Sequence, residues 1–410
     1  MTLIAINTDV LVCGGGISGL LTAKSLVNLG LSVVCLEKSN IELKSIGGMA
    51  DGRTTAFLQP SIDFLSDLGL WKNLISKAQG LESLVLCNLN PETHTIDESC
   101  EFSAHDLNLE HFGFNVTNDF LISELKKSLA TESKFQFLGN VTIQNLVQRT
   151  TEIIVLTNQK QRISSKLVIG ADGKNGTLRE LANIGIYGID YNQQALVFSI
   201  EHEFNHEARS LEIYESGGPC TLVPNKTDRA NGYSSSVVLM QNSKAIRTTM
   251  HLDKEDMSRF VTKRTGMLLG ECKMKTGIRK FPVLSQISKK FTGERLLLLA
   301  ESAHVMPPIG AQGLNCSIQD IKILTDIIAL KVKGDKDFGS KDLLHSYERA
   351  RGAQIRSKML GIHVLNKVSM NGNGLTLAIR KLGLRALSKN LSIRKIIMNL
   401  GMYEKFNPII

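Results

Sequence analysis

The chain has 410 residues, 42% of them apolar, which is enough for one large core or two linked ones, and we expect two lobes. It lacks an apolar run of the ~18 residues that span a membrane, a secretory signal and an Arg-rich transit peptide, so a cytoplasmic protein is expected. The seven cysteines are scattered and never form a CxxC pair, the net charge is +9, and we expect no disulfide framework, no metal site and no nucleic-acid partner.

The N-terminal segment has a pattern typical of dinucleotide binding. Residues 8–13 predict a short buried strand, residues 14–19 read Gly-Gly-Gly-Ile-Ser-Gly, a helix follows through about residue 29, and a second strand ends at Glu37. A lone GxGxxG is a weak signal, but one between a strand and a helix, with an acid eighteen positions beyond its last glycine, is strong. The pattern leaves open whether the nucleotide is FAD or NAD.

Each residue of this pattern has a predicted role. Gly14 permits the tight turn, Gly16 admits the pyrophosphate, and Gly19 lets the helix and the sheet touch. Glu37 is spaced as the carboxylate that binds a ribose.

The following elements are predicted from apolar periodicity. Residues 51–71 predict a loop that enters an amphipathic helix, and alternation between residues 81 and 102 predicts strands of a second lobe. Residues 113–129 predict a helix. Residues 167–170 predict another buried strand, followed directly by Ala-Asp-Gly.

Residues 190–285 differ in character from the segments on either side. Short alternating apolar runs separated by turns predict a mostly antiparallel sheet. Residues 202–206, His-Glu-Phe-Asn-His, match the HExxH pattern of zinc proteases, which requires both histidines on one helical face. Because the preceding residues predict a strand, we interpret the match as coincidental and leave open a role in the second lobe.

The stretch 296–320 is the most informative part of the chain. A leucine run predicts a buried strand, which is followed by an acid, a histidine, two prolines and glycines that open a helix. Pro307 and Pro308 exclude a helix at their positions, while Gly310 and Gly313 let the backbone approach a flat ligand. The start of the helix would favour a phosphate or an anionic ring edge.

The C-terminal region is predicted to be helical. Residues 342–368 predict one helix, and residues 375–402 carry six basic and no acidic residues among their apolar ones. This asymmetry suggests an anionic partner, and a helix pair on a membrane surface is one interpretation. Packing of the same helices on the rest of the protein, with solvated lysines, is the other.

Residues 303–315, Ala-His-Val-Met-Pro-Pro-Ile-Gly-Ala-Gln-Gly-Leu-Asn, resemble the second FAD signature of the flavin-dependent aromatic hydroxylases, a Gly-Asp pair followed by PPxGxxGLN. The closest resemblance is to the hydroxylases of ubiquinone biosynthesis. Gly-Ala-Asp-Gly at residues 170–173 resembles the DG signature of the same family. The resemblance covers the whole chain and implies a discontinuous FAD lobe, because the signatures are far apart in the sequence.

The resemblance implies an α/β fold with a Rossmann-like FAD-binding lobe, a mostly antiparallel β-sheet substrate lobe and C-terminal helices. The expected boundaries are 1–80, 105–189 and 286–335 for the FAD-binding lobe, 81–104 and 190–285 for the substrate lobe, and 336–410 for the C-terminal helices.

The resemblance also implies that FAD is the cofactor and that it carries the difficult chemistry, so no catalytic side chain is assigned. Arg53 is expected at the pyrophosphate and Asn118 near the flavin, while Asp172, with Arg179, and Glu301 are expected to hold the ribose, ribitol or pyrophosphate. The residues expected to line the flavin by backbone contacts are Pro308, Gly310, Gly313, Leu314 and Asn315. His304 is expected to be structural.

The sequence departs from the family pattern at Ala300-Glu301, where the family has Gly-Asp. The carboxylate is retained with one more methylene, so FAD binding is expected to survive. Misplacing one hydrogen bond to this charged group would lower the affinity by ~1.5 to 3 kcal/mol.

The implied function is hydroxylation of the aromatic ring of a polyprenylated phenol in ubiquinone biosynthesis, through a flavin C4a-hydroperoxide formed with dioxygen. The electron donor is left open between NAD(P)H and a ferredoxin-type protein. The lipophilic substrate suggests peripheral contact with the inner membrane through residues 375–402. Two other interpretations are a non-catalytic subunit of a quinone-biosynthesis complex and a flavin-dependent isoprenoid reductase, although a reductase does not require the PPIGAQGLN signature.

Overall fold

A computed structural model of the chain describes residues 4–39, 53–90, 92–215, 217–227, 232–334, 336–370 and 374–402. In chain order the strands are β1 (Ile4–Cys13), β2 (Val33–Glu37), β3 (Thr54–Leu58), β4 (Gln79–Leu81), β5 (Ser83–Leu89), β6 (Ile96–Ser103), β7 (Gly113–Thr117), β8 (Phe135–Gly139), β9 (Ile143–Gln148), β10 (Ile153–Thr157), β11 (Gln161–Gly170), β12 (Ile186–His202), β13 (Arg209–Glu215), β14 (Gly218–Pro224), β15 (Tyr233–Asn242), β16 (Cys272–Met274), β17 (Arg279–Ser288), β18 (Thr292–Gly293), β19 (Leu296–Leu298) and β20 (His304–Val305). The α-helices are α1 (Ile17–Asn28), α2 (Gln59–Asp67), α3 (Trp71–Leu74), α4 (Asn118–Ala130), α5 (Thr177–Leu181), α6 (Ser243–Thr249), α7 (Lys254–Arg264), α8 (Gln312–Lys333), α9 (Lys341–Met370), α10 (Gly374–Lys389) and α11 (Leu391–Met402).

The first sheet joins parallel strands from distant parts of the chain in the order β18-β19-β11-β1-β2-β8, with β10 and β9 added beside β11. Strands β19, β11, β1, β2 and β8 are parallel neighbours. Parallel strands are covered on both faces, which explains the continuous apolar runs of β1, β2, β11 and β19. This α/β arrangement is the fold class that the sequence predicts.

The second sheet has the order β20-β17-β12-β15-β14-β13-β5-β6, with β16 beside the end of β12. Its neighbours are antiparallel except for the parallel pair β13–β5. The mostly antiparallel sheet predicted for residues 190–285 is therefore confirmed, and strands β5 and β6 from the predicted alternating segment join it. Helices α6 and α7, which the sequence analysis did not predict, lie within this region.

A small third sheet corrects two expectations. Residues 113–129 are not one helix, because Gly113–Thr117 forms β7 between β3 and β4, and helix α4 begins only at Asn118. A Cβ at Gly113 would lie 2.4 Å from the carbonyl oxygen of Phe57, so glycine permits this close approach of the two strands. The loop expected from residue 51 contains strand β3 before α2, and residues 51 and 52 lie outside the described residues.

Helix α9 connects the two sheets, and α10 and α11 lie on the second one. The first half of α9 buries Leu343, Tyr347 and Ile355 in the core of the first sheet, and its second half packs Ile362 on the second sheet. Helices α10 and α11 pack Leu384 and Met398 on β6. In the described part of the chain, no helix combines the length and the hydropathy needed to cross a bilayer.

All seven cysteines are buried and free. Burial raises the pKa of Cys87 and Cys220 to about 11, so these thiols stay protonated at neutral pH.

Candidate functional site

A cavity of about 460 Å³ lies at the carboxyl ends of β1, β2, β11 and β19. Ligands of open parallel sheets bind at this edge. The predicted site residues that line it are Gly14, Gly16, Glu37, Arg53, Asn118, Asp172, Glu301, Gly313 and Leu314. Gly19, Pro308, Gly310 and Asn315 are not among its lining residues. Three signatures from distant parts of the sequence thus meet around one cavity.

The glycine turn between β1 and α1 is closely packed on one side and open on the other. Gly14 has a φ of 116°, and a Cβ there would lie 2.3 Å from the carbonyl oxygen of Ala171. A Cβ at Gly19 would lie 1.8 Å from the carbonyl oxygen of Gly14. A Cβ at Gly16 would meet no atom within 4 Å among the described residues. Gly14 and Gly19 therefore serve the turn, and Gly16 leaves room for a ligand.

Glu37 is held at the end of β2 by two backbone N–H groups. Its Oε2 accepts a hydrogen bond from Gly15 N at 2.7 Å, and its Oε1 accepts one from Ser39 N at 2.8 Å. A carboxylate oxygen accepts more than one hydrogen bond, so both oxygens keep capacity for the hydroxyl groups of a sugar.

Asp172 joins the second signature to the third. Its Oδ2 accepts a hydrogen bond from Leu178 N at 3.1 Å at the start of α5, and its Oδ1 accepts one from Ser302 Oγ at 2.7 Å. The buried Arg179 donates to the carbonyl oxygen of Ser302 at 3.3 Å. Ser302, which the sequence analysis did not single out, is thus the residue that fixes the segment after β19 to the one after β11.

The Ala300-Glu301 pair occupies the position of the family's Gly-Asp. Ala300 has a φ of 52°, in the left-handed region that favours glycine. Its backbone N–H donates to Oδ2 of Asp320 at 3.0 Å. Glu301 is exposed in the cavity and makes no hydrogen bond or ion pair with the residues that the structure describes. Its carboxylate is therefore available to a ligand.

A buried charge network supports this segment from behind. Asp320 accepts hydrogen bonds from His304 Nε2 at 2.6 Å and from Arg351 Nε at 2.7 Å. Burial opposes ionisation of Asp320, but the charges and hydrogen bonds of His304 and Arg351 outweigh it and lower the pKa of Asp320 to about 2. Metal-ligand atoms of His304, Cys316 and Asp320 lie within 4.8 Å of one another. The guanidinium group of Arg351 is itself a cation beside these atoms, because its Nε donates to Asp320 and its Nη2 lies 3.2 Å from Cys316 Sγ.

The loop before α8 is held by the side chain of Asn315. This side chain accepts hydrogen bonds from Leu58 N (3.1 Å) and Ser61 Oγ (2.7 Å) and donates to the carbonyl oxygens of Ala56 (2.8 Å) and Ala311 (2.7 Å). Gly310 and Ala311 both have a positive φ, which forms the turn into α8. The amide of Asn315 thus fixes the loop to β3 and α2, and its expected backbone contact with flavin stays a prediction.

Arg53 and Asn118 line the cavity beside the third sheet, directly before β3 and directly after β7. The guanidinium carbon of Arg53 lies 5.4 Å from the ring centroid of Phe281 on β17. Asn118 Oδ1 accepts a hydrogen bond from Thr55 Oγ1 at 2.7 Å, and its N–H donates to the Arg53 carbonyl oxygen at 3.0 Å. Both residues are therefore within reach of a ligand in the cavity.

The chemistry of this cavity fits FAD. Helices α1 and α8 both begin at it, with no side-chain cap and no acidic residue in the first turn, so their N–H groups favour an anion such as a diphosphate or the edge of a reduced ring. The carboxylates of Glu37, Asp172 and Glu301 suit the hydroxyl groups of ribose and ribitol. A Cβ at Gly313, as at Gly16, would meet no described atom within 4 Å.

The HExxH match does not form a zinc-protease site. His202 is the last residue of β12, its Nε2 lies 3.0 Å from Ser235 Oγ, and burial lowers its pKa to about 4. Its ring centroid is 6.0 Å from that of His206. Glu203 accepts a hydrogen bond from Glu271 N at 3.3 Å. The two histidines therefore lie at a strand end instead of on one helical face.

Comparisons with known proteins agree with this site. A profile of the family described as FAD binding domain matches residues 7–359. The ubiquinone hydroxylase UbiL of Rhodospirillum rubrum is 25% identical over 397 residues, which cover 96% of this chain and 89% of that protein. The ubiquinone hydroxylase UbiM of Neisseria meningitidis is 21% identical over 397 residues, which cover 96% of this chain and 84% of that protein. The crystal structure of p-nitrophenol 4-monooxygenase from Pseudomonas putida has a TM-score of 0.77 at 17% identity, with 97% of both chains covered, and so shares the fold.

Proposed function

The chain belongs to the FAD binding domain family, and from that premise we propose that it hydroxylates the aromatic ring of a polyprenylated phenol in ubiquinone biosynthesis, with FAD and dioxygen. The observation that carries the proposal is the meeting of Gly16, Asp172 and Glu301 around one cavity. The two relatives named above, both ubiquinone hydroxylases, support the choice of reaction and substrate.

The residues of this chain hold and orient the cofactor in the proposed reaction. FAD, when bound, supplies the oxygen-transfer chemistry. Glu37, Asp172 and Glu301 would accept hydrogen bonds from its hydroxyl groups, and the N-terminus of α8 would stabilise negative charge at the edge of the ring. Because the ends of three separate strands position these carboxylates, they would hold the cofactor in place before a substrate arrives.

An apolar cluster beside the loop that precedes α8 suits the ring of a phenol. Ile309 of the loop packs with Ala195 and Val283 of the second sheet and with Ile362 of α9. Such a wall keeps water from the reacting atoms, which is the condition that an oxygen-transfer step requires. The proposal places the aromatic ring of the substrate beside this cluster.

The proposal also includes the partners of the reaction. A polyprenyl tail partitions into a bilayer, so we place the protein peripherally on a membrane through residues 375–402. The electrons come from NAD(P)H or from a ferredoxin-type donor. The protein acts alone or within a quinone-biosynthesis complex.

Turnover with isotope-labelled dioxygen tests the proposal. FAD-loaded protein, a prenylated phenol and each type of donor should yield a product with one labelled oxygen on the ring, together with oxygen uptake. A product with a reduced tail and no oxygen uptake would instead identify an isoprenoid reductase. Protein that takes up no FAD under any loading condition would favour the non-catalytic subunit.

A further inference from the structure

Helices α10 and α11 carry apolar side chains on the side that faces away from the protein. We infer that these side chains, which we call the outer face (Ile379, Leu382, Ile393, Ile396, Ile397 and Leu400), dock the protein on a lipid bilayer by inserting beneath the headgroups. The inference rests on the proposed function, because a substrate with a polyprenyl tail partitions into a bilayer and the protein must reach it there.

The spacing on α11 produces a continuous apolar stripe. Ile393, Ile396, Ile397 and Leu400 follow the i, i+3, i+4, i+7 rule, and all four are exposed among the described residues. Met398 and Met402, on the opposite side of the helix, are buried. The helix is therefore apolar on both sides, although only one side has a protein partner in the described part of the chain.

Helix α10 repeats the arrangement. Leu384 and Arg380 are buried toward the second sheet, while Ile379 and Leu382 are exposed on the other side. Helices α10 and α11 are in contact, and a group of exposed apolar side chains on two such helices marks an interaction site.

The basic residues of the two helices mostly pair within the protein, which corrects the expectation that their charge faces an anionic surface. Lys381 pairs with Asp97 at 2.6 Å, Arg385 with Glu98, and Arg394 with Asp106 at 3.6 Å. Arg380 donates to Asn88 Oδ1 at 2.8 Å. These contacts fasten the helices to β6 and its neighbours, so the cations are not the main attraction for a partner.

Two lysines remain for the partner. Lys389 and Lys395 form no ion pair with the described residues, and residues 374–402 contain no acid. An apolar face with a few flanking lysines and no acid matches the headgroup boundary of a bilayer better than the mixed polar rim of a protein partner.

The outer face lies next to the start of α8 and the loop that precedes this helix. Gln312, at the start of α8, donates from Nε2 to the carbonyl oxygen of Gly401 on α11 at 3.5 Å and accepts from Lys358 Nζ of α9 at 3.0 Å. Two residues beyond Lys358, Leu360 is exposed as well. A bilayer on the outer face would therefore lie beside the loop that precedes α8. A phenol held in that bilayer has to pass this loop to reach the cavity.

Vesicle sedimentation tests the inference, with phosphatidylcholine vesicles and with vesicles that also contain phosphatidylglycerol. The FAD-loaded protein should bind both kinds of vesicle. Ile396→Ser/Ile397→Ser/Leu400→Ser should bind phosphatidylcholine vesicles at least about tenfold more weakly. Lys389→Ser/Lys395→Ser should keep that binding and lose only the additional affinity for phosphatidylglycerol.

A matched pair of single variants controls for the loss of an exposed leucine. Leu400 on α11 is 72% exposed, and Leu330 on α8 is 73% exposed. Leu400→Ser should weaken vesicle binding by about fivefold, whereas Leu330→Ser should leave it unchanged. Equal loss in both variants would contradict insertion of the outer face.

Two further results would overturn the inference. The first is binding to phosphatidylglycerol vesicles alone that is abolished by salt and by the lysine substitutions, since electrostatic attraction would then suffice. The second is a dimer in solution that the triple serine variant converts to a monomer without vesicle binding in either protein, since the outer face would then contact a second copy.

Turnover of a phenol with a short, water-soluble tail separates failure of this inference from failure of the proposed function. The triple serine variant should keep its flavin absorbance and its kcat on that phenol. Absent turnover with intact vesicle binding would count against the hydroxylase. Intact turnover without vesicle binding in the wild type would count against the outer face.

Discussion

At the scale of single residues, the Ala300-Glu301 pair is where this chain departs most clearly from the family signature. The left-handed backbone at Ala300, with a φ of 52°, costs an L-residue about 1 to 2 kcal/mol. Glu301 nevertheless lies in the same cavity as Asp172, so the longer carboxylate still faces the ligand space.

Ala300→Gly should leave stability unchanged or raise it by up to about 0.5 kcal/mol, because relief of the left-handed strain offsets the lost methyl group and the greater freedom of the unfolded chain. Ala303 is equally buried but has a φ of −93°, so Ala303→Gly should lower stability by about 1 kcal/mol. Urea unfolding of both variants makes the comparison. An equal loss in both would show that the backbone at Ala300 is unstrained.

Asp320→Asn should lower the free energy of unfolding by about 3 to 5 kcal/mol, since it removes the negative charge that pairs at 2.7 Å with the fully buried Arg351. Asp326 lies on the same helix but forms a partly exposed pair with Lys322 at 2.8 Å. Asp326→Asn should therefore change stability by less than about 0.5 kcal/mol. Thermal unfolding of both variants at neutral pH tests this contrast, and similar Tm values would contradict it.

The same carboxylate predicts a pH dependence. The pKa of Asp320 is lowered from 3.8 to about 2 in the folded protein, so its contribution to stability is present above about pH 5 and is lost as the pH falls toward 2. The difference in unfolding free energy between the wild type and Asp320→Asn should shrink by ~2 kcal/mol over that interval. A difference that stays constant or grows with acidity would contradict the assignment.

At the scale of elements, the first turn of α8 lines the cavity but contains a glycine, which lowers the stability of the helix. Gly313 lies in the first turn of the helix and lines the cavity, and a Cβ there would meet no described atom within 4 Å, so the space beside it is open to a ligand. Glycine in a helix lowers stability relative to alanine, and this turn therefore trades helix stability for space.

Gly313→Ala should stabilise the FAD-free protein by about 0.5 to 1 kcal/mol and weaken FAD binding at least about tenfold. Gly383 of α10 is the matched control, because its Cβ would also meet no described atom within 4 Å. Gly383→Ala should stabilise the protein by a similar amount and leave FAD affinity unchanged. Differential scanning fluorimetry and FAD titration give the two readouts, and unchanged FAD affinity in Gly313→Ala would place the flavin elsewhere.

The elements that the sequence predicts well are those whose signal is local. The glycine turn with β1, α1 and β2, the strand before Asp172, and helix α8 all follow from periodicity and turn residues close in sequence. Strand β7 was predicted as helix because its apolar pattern suits both structures, and pairing with β3, more than fifty residues earlier, decides between them.

Side-chain contacts across long sequence distances are not predictable in this way. The partner of Arg385 is Glu98, and the partner of Lys381 is Asp97, so a segment that reads as an unpaired basic stretch is largely paired in the fold. Asp320 and its contacts with His304 and Arg351 were missed for the same reason, since no local pattern joins α8 to α9.

At the scale of the whole molecule, the first sheet explains why three distant signatures act together. Its strands come from the beginning, the middle and the last third of the chain, and their carboxyl ends share one edge. The second sheet and α9 pack on each other, with Ile309 of the loop before α8 between them. Binding of one cofactor should therefore depend on all three signatures at once.

FAD affinity, measured by fluorescence titration, tests that dependence most directly. Asp172→Asn and Glu301→Gln should each weaken binding about tenfold or more, because each removes a charged hydrogen-bond acceptor from the cavity. Asp63→Asn, at a carboxylate of α2 that does not line the cavity, should bind FAD as the wild type does. Wild-type protein that binds no FAD, or Asp172 and Glu301 variants that bind it with unchanged affinity, would contradict the account of a single FAD site.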